Sequence, residues 1–170
     1  MEANIKFAKV HPNAIIPSKR DEDMGFDIYA CFDEDYMIIY PHETKAVPTG
    51  IASSCDKEFG FILKERSSTG SKGIALRAGV VDSGYRGQWY VVLTNTTDKT
   101  LFISKLSEEE TYDKHYGATM KHSFVYPYTK AIAQAVVKEV IKTNVEELSY
   151  EELQSITSER GTGAFGSSNK

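Results

Sequence analysis

Short runs rich in Val, Ile, Tyr and Phe recur along this chain, and each is soon cut by Gly, Pro, Asp or Ser. "IKFAKV" (5–10), "FDIYACF" (26–32), "YMIIY" (36–40), "KAVPTGIAS" (45–53), "FGFILKE" (59–65), "GQWYVVLTN" (87–95) and "TLFISKL" (100–106) all have this form. Runs of that length and composition suit half-buried, pleated backbone better than helix. Many of them in series predict an all-β domain: a sandwich, jelly roll or barrel. Ten tyrosines and eight phenylalanines give such sheets large apolar side chains to bury.

Two stretches do not follow the pattern. "KAIAQAVVKEVIKTNVEEL" (130–148) places Ile132, Val136, Val140 and Asn144 four apart, which fits an amphipathic helix. Its centre is nonetheless β-branched, so pattern alone leaves helix and strand open. "SYEELQSI" (149–156) reads as a short helix, with Ser149 and Glu152 spaced as a capping box. Between Lys105 and His122 the chain turns polar, with three successive glutamates and little to bury. That stretch is expected to be a surface insertion.

The 170-residue length suits one domain with a real core, and the net charge of −4 argues against broad binding to nucleic acid or anionic membrane. Cys31 and Cys55 form no CxxC pair and read as free thiols in a reducing compartment. No apolar run is long enough to span a bilayer, and residues 1–17 lack a signal-peptide pattern, so a cytoplasmic protein is expected. His11, His42, His115 and His122 are scattered without metal-binding spacing. "STGSKG" (68–73) lacks the first glycine of a Walker loop and the hydroxyl residue after Lys72.

Five other segments carry groups suited to chemistry. Arg66, Ser67 and Ser68 lie between a strand-like run and glycines, where a guanidinium and hydroxyls could cradle an anion; an ordinary polar turn is the bland alternative. Asp82, at the end of "GVV" and before Ser-Gly-Tyr, is a candidate general base or a self-bonded turn aspartate. Tyr85 could face a sugar or the core. Asp27 is an acid inside a strand-like run, and Gln134 is a lone amide in an apolar one. The last segment, "RGTGAFGSS" (160–168), combines Arg160, Phe165, Gly166, Ser167 and Ser168: a forked cation, a stacking ring, close backbone approach and two hydroxyls.

The order of these segments is informative. "DMGFDIYA", "ERSSTGSKGI", "GVVDSGYRGQ", "KAIAQAVV" and "RGTGAFGSS" resemble, in sequence, the five motifs of the trimeric dUTPases, over nearly the whole chain from Asp23 to Ser168. The resemblance implies a jelly-roll homotrimer with three active sites, each built from more than one subunit. It implies Mg²⁺-dependent hydrolysis of dUTP to dUMP and pyrophosphate, which limits uracil incorporation into DNA and supplies dUMP. It implies a β domain over 1–159, with the 105–122 insertion, and a flexible arm over 160–170 that closes on the site. It also makes "KAIAQAVVKEV" a strand.

Carried onto this sequence, the family pattern makes Asp82 the base that orients and deprotonates a water directed at the α-phosphorus. Tyr85 would pack on the deoxyribose, excluding a 2′-hydroxyl. The turn from Leu76 to Val81, with Val80 and Val81 at its end, would read uracil through backbone groups. Arg66, Ser67 and Ser68 would hold the α- and β-phosphates, Gln134 would order phosphate-bound water, and Asp27 would act through water near the metal. Arg160, Gly166, Ser167 and Ser168 would surround the γ-phosphate while Phe165 covers the base.

The sequence departs from the pattern in places. Glu65 stands where the family usually has proline, Leu76 where it often has asparagine, Gly84 where an acid is usual, and Ala164 where glycine is common. A similarly placed insertion occurs in some phage-type members. A rival reading is the dCTP deaminases, which share the fold. Their catalytic glutamate would fall at Val92, which argues against that reading. A binding protein is the other rival: a nucleotide sensor, or a trimer whose acidic insertion, with Glu108, Glu109 and Glu110, engages a protein partner.

Overall fold

The apolar runs become strands because their backbone groups pair across the chain and their side chains meet in one core. The computed structural model describes residues 2–115 and 118–163. Among these, twelve strands and three short helices form. β1 (Ile5–Lys9) pairs with β5 (Ile51–Cys55). β2 (Gly25–Ile28), β12 (Ala133–Glu139), β6 (Phe59–Lys64) and β8 (Val80–Val81) form a four-stranded sheet in that order. β4 (Thr44–Pro48), β9 (Tyr90–Asn95) and β7 (Ile74–Arg77) form a third sheet. β11 (Ser123–Pro127), β10 (Thr100–Ser104) and β3 (Tyr36–Ile39) form the last.

The all-β architecture expected from the runs is the one found. "KAVPTGIAS" is two strands rather than one, parted at Thr49–Gly50. "FDIYACF" leaves the sheet after Ile28, and "GQWYVVLTN" enters it only at Tyr90. The ambiguous stretch resolves as strand over Ala133–Glu139, with no helix after it before Tyr150. The core centres on Trp89, Phe61 and Phe7, whose rings meet at 5.0–5.9 Å. Ile28, Ile39, Val47, Val91 and Leu101, all fully buried, pack into the same cluster.

The polar stretch from Lys105 to His122 does more than cover surface. β10 and β11 pair in parallel, with Thr100 opposite Ser123. Parallel neighbours need a long crossover, because the chain must return to the same end before starting again. Residues 105–122 supply it, and they carry α2 (Glu108–Lys114). Ser107 caps this helix: its Oγ accepts the Glu110 N–H at 3.2 Å, and Glu110 Oε2 accepts the Ser107 N–H at 2.9 Å. The helix lies over β10. Phe102, which faces away from the main core, is buried beneath the rings of Tyr112 and His115, at 6.4 and 5.2 Å. Thr111, also fully buried, donates to Ser107 O at 2.7 Å and accepts from Ser104 Oγ at 2.7 Å. The expected insertion thus contains a packed helix that the polar composition did not suggest.

The described residues fall into two compact units, divided between Val140 and Ile141. The second holds α3 (Tyr150–Ser155), capped by Ser149 and Glu152 as the spacing predicts. Ile141, Val145, Leu148, Tyr150, Leu153 and Ile156 in this unit all remain exposed. Both cysteines are free, and no helix among the described residues is long and apolar enough to cross a membrane.

Candidate active site

Local structure at the end of β6 and one long-range ion pair build the first half of the site. β6 stops after Lys64, and α1 (Ser67–Gly70) makes one turn immediately afterwards. Thr69 closes that turn: its Oγ1 accepts the Arg66 N–H and donates to Arg66 O, both at 3.0 Å. Arg66 is left pointing across to β2, where it forks onto Asp27, with Nε–Oδ1 at 3.0 Å and Nη2–Oδ2 at 3.4 Å. Both side chains keep about a third of their surface in solvent: 33% for Arg66 and 34% for Asp27. An acid inside a strand is tolerated here because it has this partner and this exposure.

Gln134 sits on β12, opposite Asp27 on one side and Lys64 on the other. Its Nε2 donates to Glu65 O at 2.8 Å. Gly25 leaves it room: a methyl group there would lie 2.8 Å from Gln134 Oε1. The apolar setting of this glutamine is therefore half explained by structure, since one amide hydrogen has a fixed acceptor. Ser67 is exposed, and Ser68 Oγ lies 3.2 Å from the hydroxyl of Tyr126 on β11. Arg66, Ser67, Ser68 and Gln134 line a hollow of about 320 Å³. Arg66 and Gln134 also border an adjoining cavity of about 630 Å³, shared with Asp27 and the loop carrying Lys19 and Arg20.

The second half lies around the turn that follows β7. Ala78 and Gly79 both have positive φ, 56° and 106°. Glycine is needed at the second position, where a side chain would press on Leu63 and Leu76 at 3.0 Å. The turn hands the chain from the β4–β9–β7 sheet to β8, which pairs with β6. Asp82 follows β8 directly and is exposed; its carbonyl accepts the Tyr85 N–H at 3.1 Å. The Tyr85 hydroxyl donates to Gln88 O at 3.0 Å, which fixes the ring while leaving it 46% exposed. Val80, Val81, Asp82, Tyr85, Trp89 and Val92 are among the residues lining a cavity of about 270 Å³.

Among the described residues, Asp82 is the only carboxylate in that lining. Val92 stands in it as an apolar wall, so the position that a deaminase would fill with glutamate offers no acid. The Leu76 side chain packs beneath Gly79 and is not part of the lining.

The expected site residues thus fall into two groups that share no lining residue: Asp27, Arg66, Ser67, Ser68 and Gln134 in one, and Val80, Val81, Asp82 and Tyr85 in the other. Arg160 belongs to the second unit, where its Nε donates to Gly163 O at 2.8 Å. Phe165, Gly166, Ser167 and Ser168 lie outside the described residues. Two contributors escaped the sequence reading. Tyr126 holds Ser68, and Glu65, noted only as a departure from the family, accepts the Leu76 N–H at 2.9 Å through Oε1.

No group of three or more His, Cys, Asp or Glu among the described residues could hold a metal ion. Mg²⁺ does not require one, since it keeps several waters and commonly binds through one or two carboxylates plus substrate phosphates. A half-exposed carboxylate beside an anion cradle, as at Asp27, fits that mode.

Comparison with known proteins agrees with this architecture. A family model described as dUTPase matches residues 11–107. The deoxyuridine 5′-triphosphate nucleotidohydrolase of Nautilia profundicola is 33% identical over 172 aligned residues, covering 98% of this chain and 99% of that protein. The protein of the same name from Helicobacter pylori strain Shi470 is 32% identical, covering 96% of this chain and 94% of its own length. Among solved structures, a mutant dUTPase of Staphylococcus bacteriophage 80alpha with dUpNHpp superposes with a TM-score of 0.75 at 21% identity, covering 97% of this chain and 98% of that one.

Proposed function

This chain belongs to the dUTPase family, and from that membership we propose that it hydrolyses dUTP to dUMP and pyrophosphate by attack of water on the α-phosphorus. The observation that carries the reading is the placement of Asp82. It is an exposed carboxylate, the one acid among the described residues of its cavity lining, beside a turn of unusual backbone and a fixed tyrosine ring.

In this reading Asp82 accepts a proton from the attacking water and aims its oxygen at phosphorus, a contribution of about 10²–10⁴-fold to rate. Tyr85 presents its ring to the deoxyribose, where a 2′-hydroxyl would collide. The backbone from Leu76 to Val81 reads the edge of uracil. Arg66, Ser67 and Ser68 hold the α- and β-phosphates, and Gln134 uses its remaining amide hydrogen and oxygen to order water between them. Arg66 must share its guanidinium between Asp27 and phosphate, which the half-exposed geometry of the pair permits. Mg²⁺, when bound, neutralises charge on the triphosphate and fixes its geometry. Asp27 would hold it through water, with the phosphates as its main ligands.

A single nucleotide spans base, sugar and triphosphate, yet the two groups of residues line separate cavities. The family resemblance implies a homotrimer in which each site combines segments of more than one copy, and separate linings within one chain are compatible with that. The exposed apolar side chains of the second unit, from Ile141 to Ile156, give such an assembly surface to bury. The arm from Arg160 onward would close over bound nucleotide, with Arg160, Gly166, Ser167 and Ser168 at the γ-phosphate and Phe165 over the base. A cytoplasmic setting fits the free thiols.

Pyrophosphate release assayed over dUTP, UTP, dTTP and dCTP, with and without Mg²⁺, tests the proposal. Turnover confined to dUTP and dependent on the metal is expected. Ammonia from dCTP, or no turnover of dUTP, would overturn it.

A further inference from the structure

β7 is an edge strand. It pairs with β9 on one side, Leu76 standing opposite Leu93, and among the described residues has no strand on the other. Outward N–H groups of such an edge need acceptors. Glu65 provides one for Leu76, where Oε1 accepts the N–H at 2.9 Å. The turn has a second tie close by, since Leu63 N donates to Gly79 O at 2.8 Å. The two ties differ in kind. The Leu63–Gly79 bond is main chain to main chain and depends on no side chain, whereas the Leu76 tie depends wholly on the Glu65 carboxylate.

Glu65 also faces the other half of the site. Its main-chain oxygen accepts from Gln134 at 2.8 Å, and it immediately precedes Arg66. One residue therefore joins the Leu76–Val81 turn to the Arg66–Gln134 cradle. Proline at this position could not make the Leu76 bond.

We propose that Glu65 is a positioning residue for base recognition: its carboxylate fixes the Leu76 amide and with it the backbone edge that reads the pyrimidine. This rests on the dUTP reading given above. Removing the side chain leaves the Leu63–Gly79 bond and the β6–β8 pairing in place, so the turn loosens without unfolding. The Gln134 bond, made to the main chain, survives as well. The effect falls on the base rather than on the phosphates.

The test compares Glu65→Ala, Glu65→Gln and Glu65→Asp with the wild type. The first measurement is hydrogen exchange at the Leu76 amide in the free protein. The second is kcat/KM for dUTP and for dCTP by pyrophosphate release. Glu65→Ala is expected to speed Leu76 exchange, raise KM for dUTP about tenfold and erode the preference for dUTP over dCTP by a similar factor, the size of one charge-assisted hydrogen bond. Glu65→Gln keeps an acceptor oxygen at the same reach and is expected to restore most of the loss. Glu65→Asp, one methylene short, is expected to behave as alanine does and carries the test if the alanine variant does not fold. Unchanged Leu76 exchange or unchanged base preference in the alanine or aspartate variant overturns the proposal, as does a glutamine variant no better than alanine. A wild type that never turns over dUTP sinks the functional reading instead, while Leu76 exchange still reports whether Glu65 holds the turn.

Discussion

The hydroxyl of Tyr126 donates to Ala131 O at 2.8 Å, so the 3.2 Å bond to Ser68 must be donated by the serine. A hydroxyl has one proton. While this bond stands, Ser68 can only accept, and Ser67 carries the free donor of the pair. Substrate must either use Ser68 as an acceptor, for a metal-bound or phosphate-bound water, or turn it away from Tyr126. Tyr126→Phe removes the choice by releasing Ser68. It is expected to lower the melting temperature by the equivalent of about 0.5–1.5 kcal/mol for each hydrogen bond lost. KM for dUTP should shift severalfold with kcat little changed. Calorimetric melting and steady-state kinetics on the same preparation check both parts.

Asp82→Asn keeps the shape and the carbonyl that binds Tyr85 N–H but removes the base. The expected loss in kcat is about 10²–10⁴-fold, with nucleotide binding retained. Single-turnover rates together with binding of a non-hydrolysable dUTP analogue provide the measurement. Activity near the wild-type level would take Asp82 out of its role.

Acid stability isolates the Glu65 tie in a second way. The Leu76 N–H, its own N–H, and the nearby Lys64 and Arg77 charges hold the Glu65 carboxyl below its ordinary value of 4.5, against a smaller opposing effect of burial. A carboxylate with a depressed native pKa stabilises the fold above its unfolded pKa, and loses that contribution as pH falls through the native one. The melting temperature of the wild type should therefore exceed that of Glu65→Gln by a constant amount near neutrality. The gap should close as pH drops below 4.5. A gap independent of pH down to full acid unfolding would contradict the assignment.

Thr111→Val tests the helix under which Phe102 is buried. The substitution keeps the volume and deletes a hydroxyl that bonds Ser107 O and Ser104 Oγ at 2.7 Å each. Leaving Ser104 without its acceptor in a buried setting should cost about 1–3 kcal/mol. Denaturant melts should show it, with dUTP turnover per folded molecule unchanged. By contrast, Glu108 and Glu109 are exposed, and substituting them tests the acidic face as a protein-binding surface without disturbing the Ser107–Glu110 cap.

The strand content could be read from sequence because Val, Ile and aromatic residues fill the central strands, as in "FGFILK" and "YVVLTN". β7 and β11 were missed for opposite reasons. "IALR" is too short to show a period, and "SFVYP" carries a serine and a proline at its ends. α2 had a visible signal, Ser107 with Glu110 three residues later, masked by the polar residues around it. Ser149 and Glu152 gave the same signal in a less polar setting and were read correctly. The pairing of Arg66 with Asp27 and of Gln134 with the end of β6 joins residues far apart in the chain, and only the sheet register brings them together. The resemblance supplied their names. It could not supply a role for Glu65 or Tyr126, because Glu65 departs from the family pattern at its position and Tyr126 lies outside the five motifs.

The parallel pairing of β10 with β11 has a kinetic consequence. Thr100 and Ser123 meet only after the intervening chain has doubled back, and closing so long a loop carries an entropic cost before any ladder bond repays it. α2 shortens the search: its cap is local, and a helix already seated on Phe102 leaves two brief linkers to close. Refolding followed by pulsed amide labelling should therefore find α2 protected no later than β11, and lesions that weaken the Ser107–Glu110 cap should retard the protection of β11.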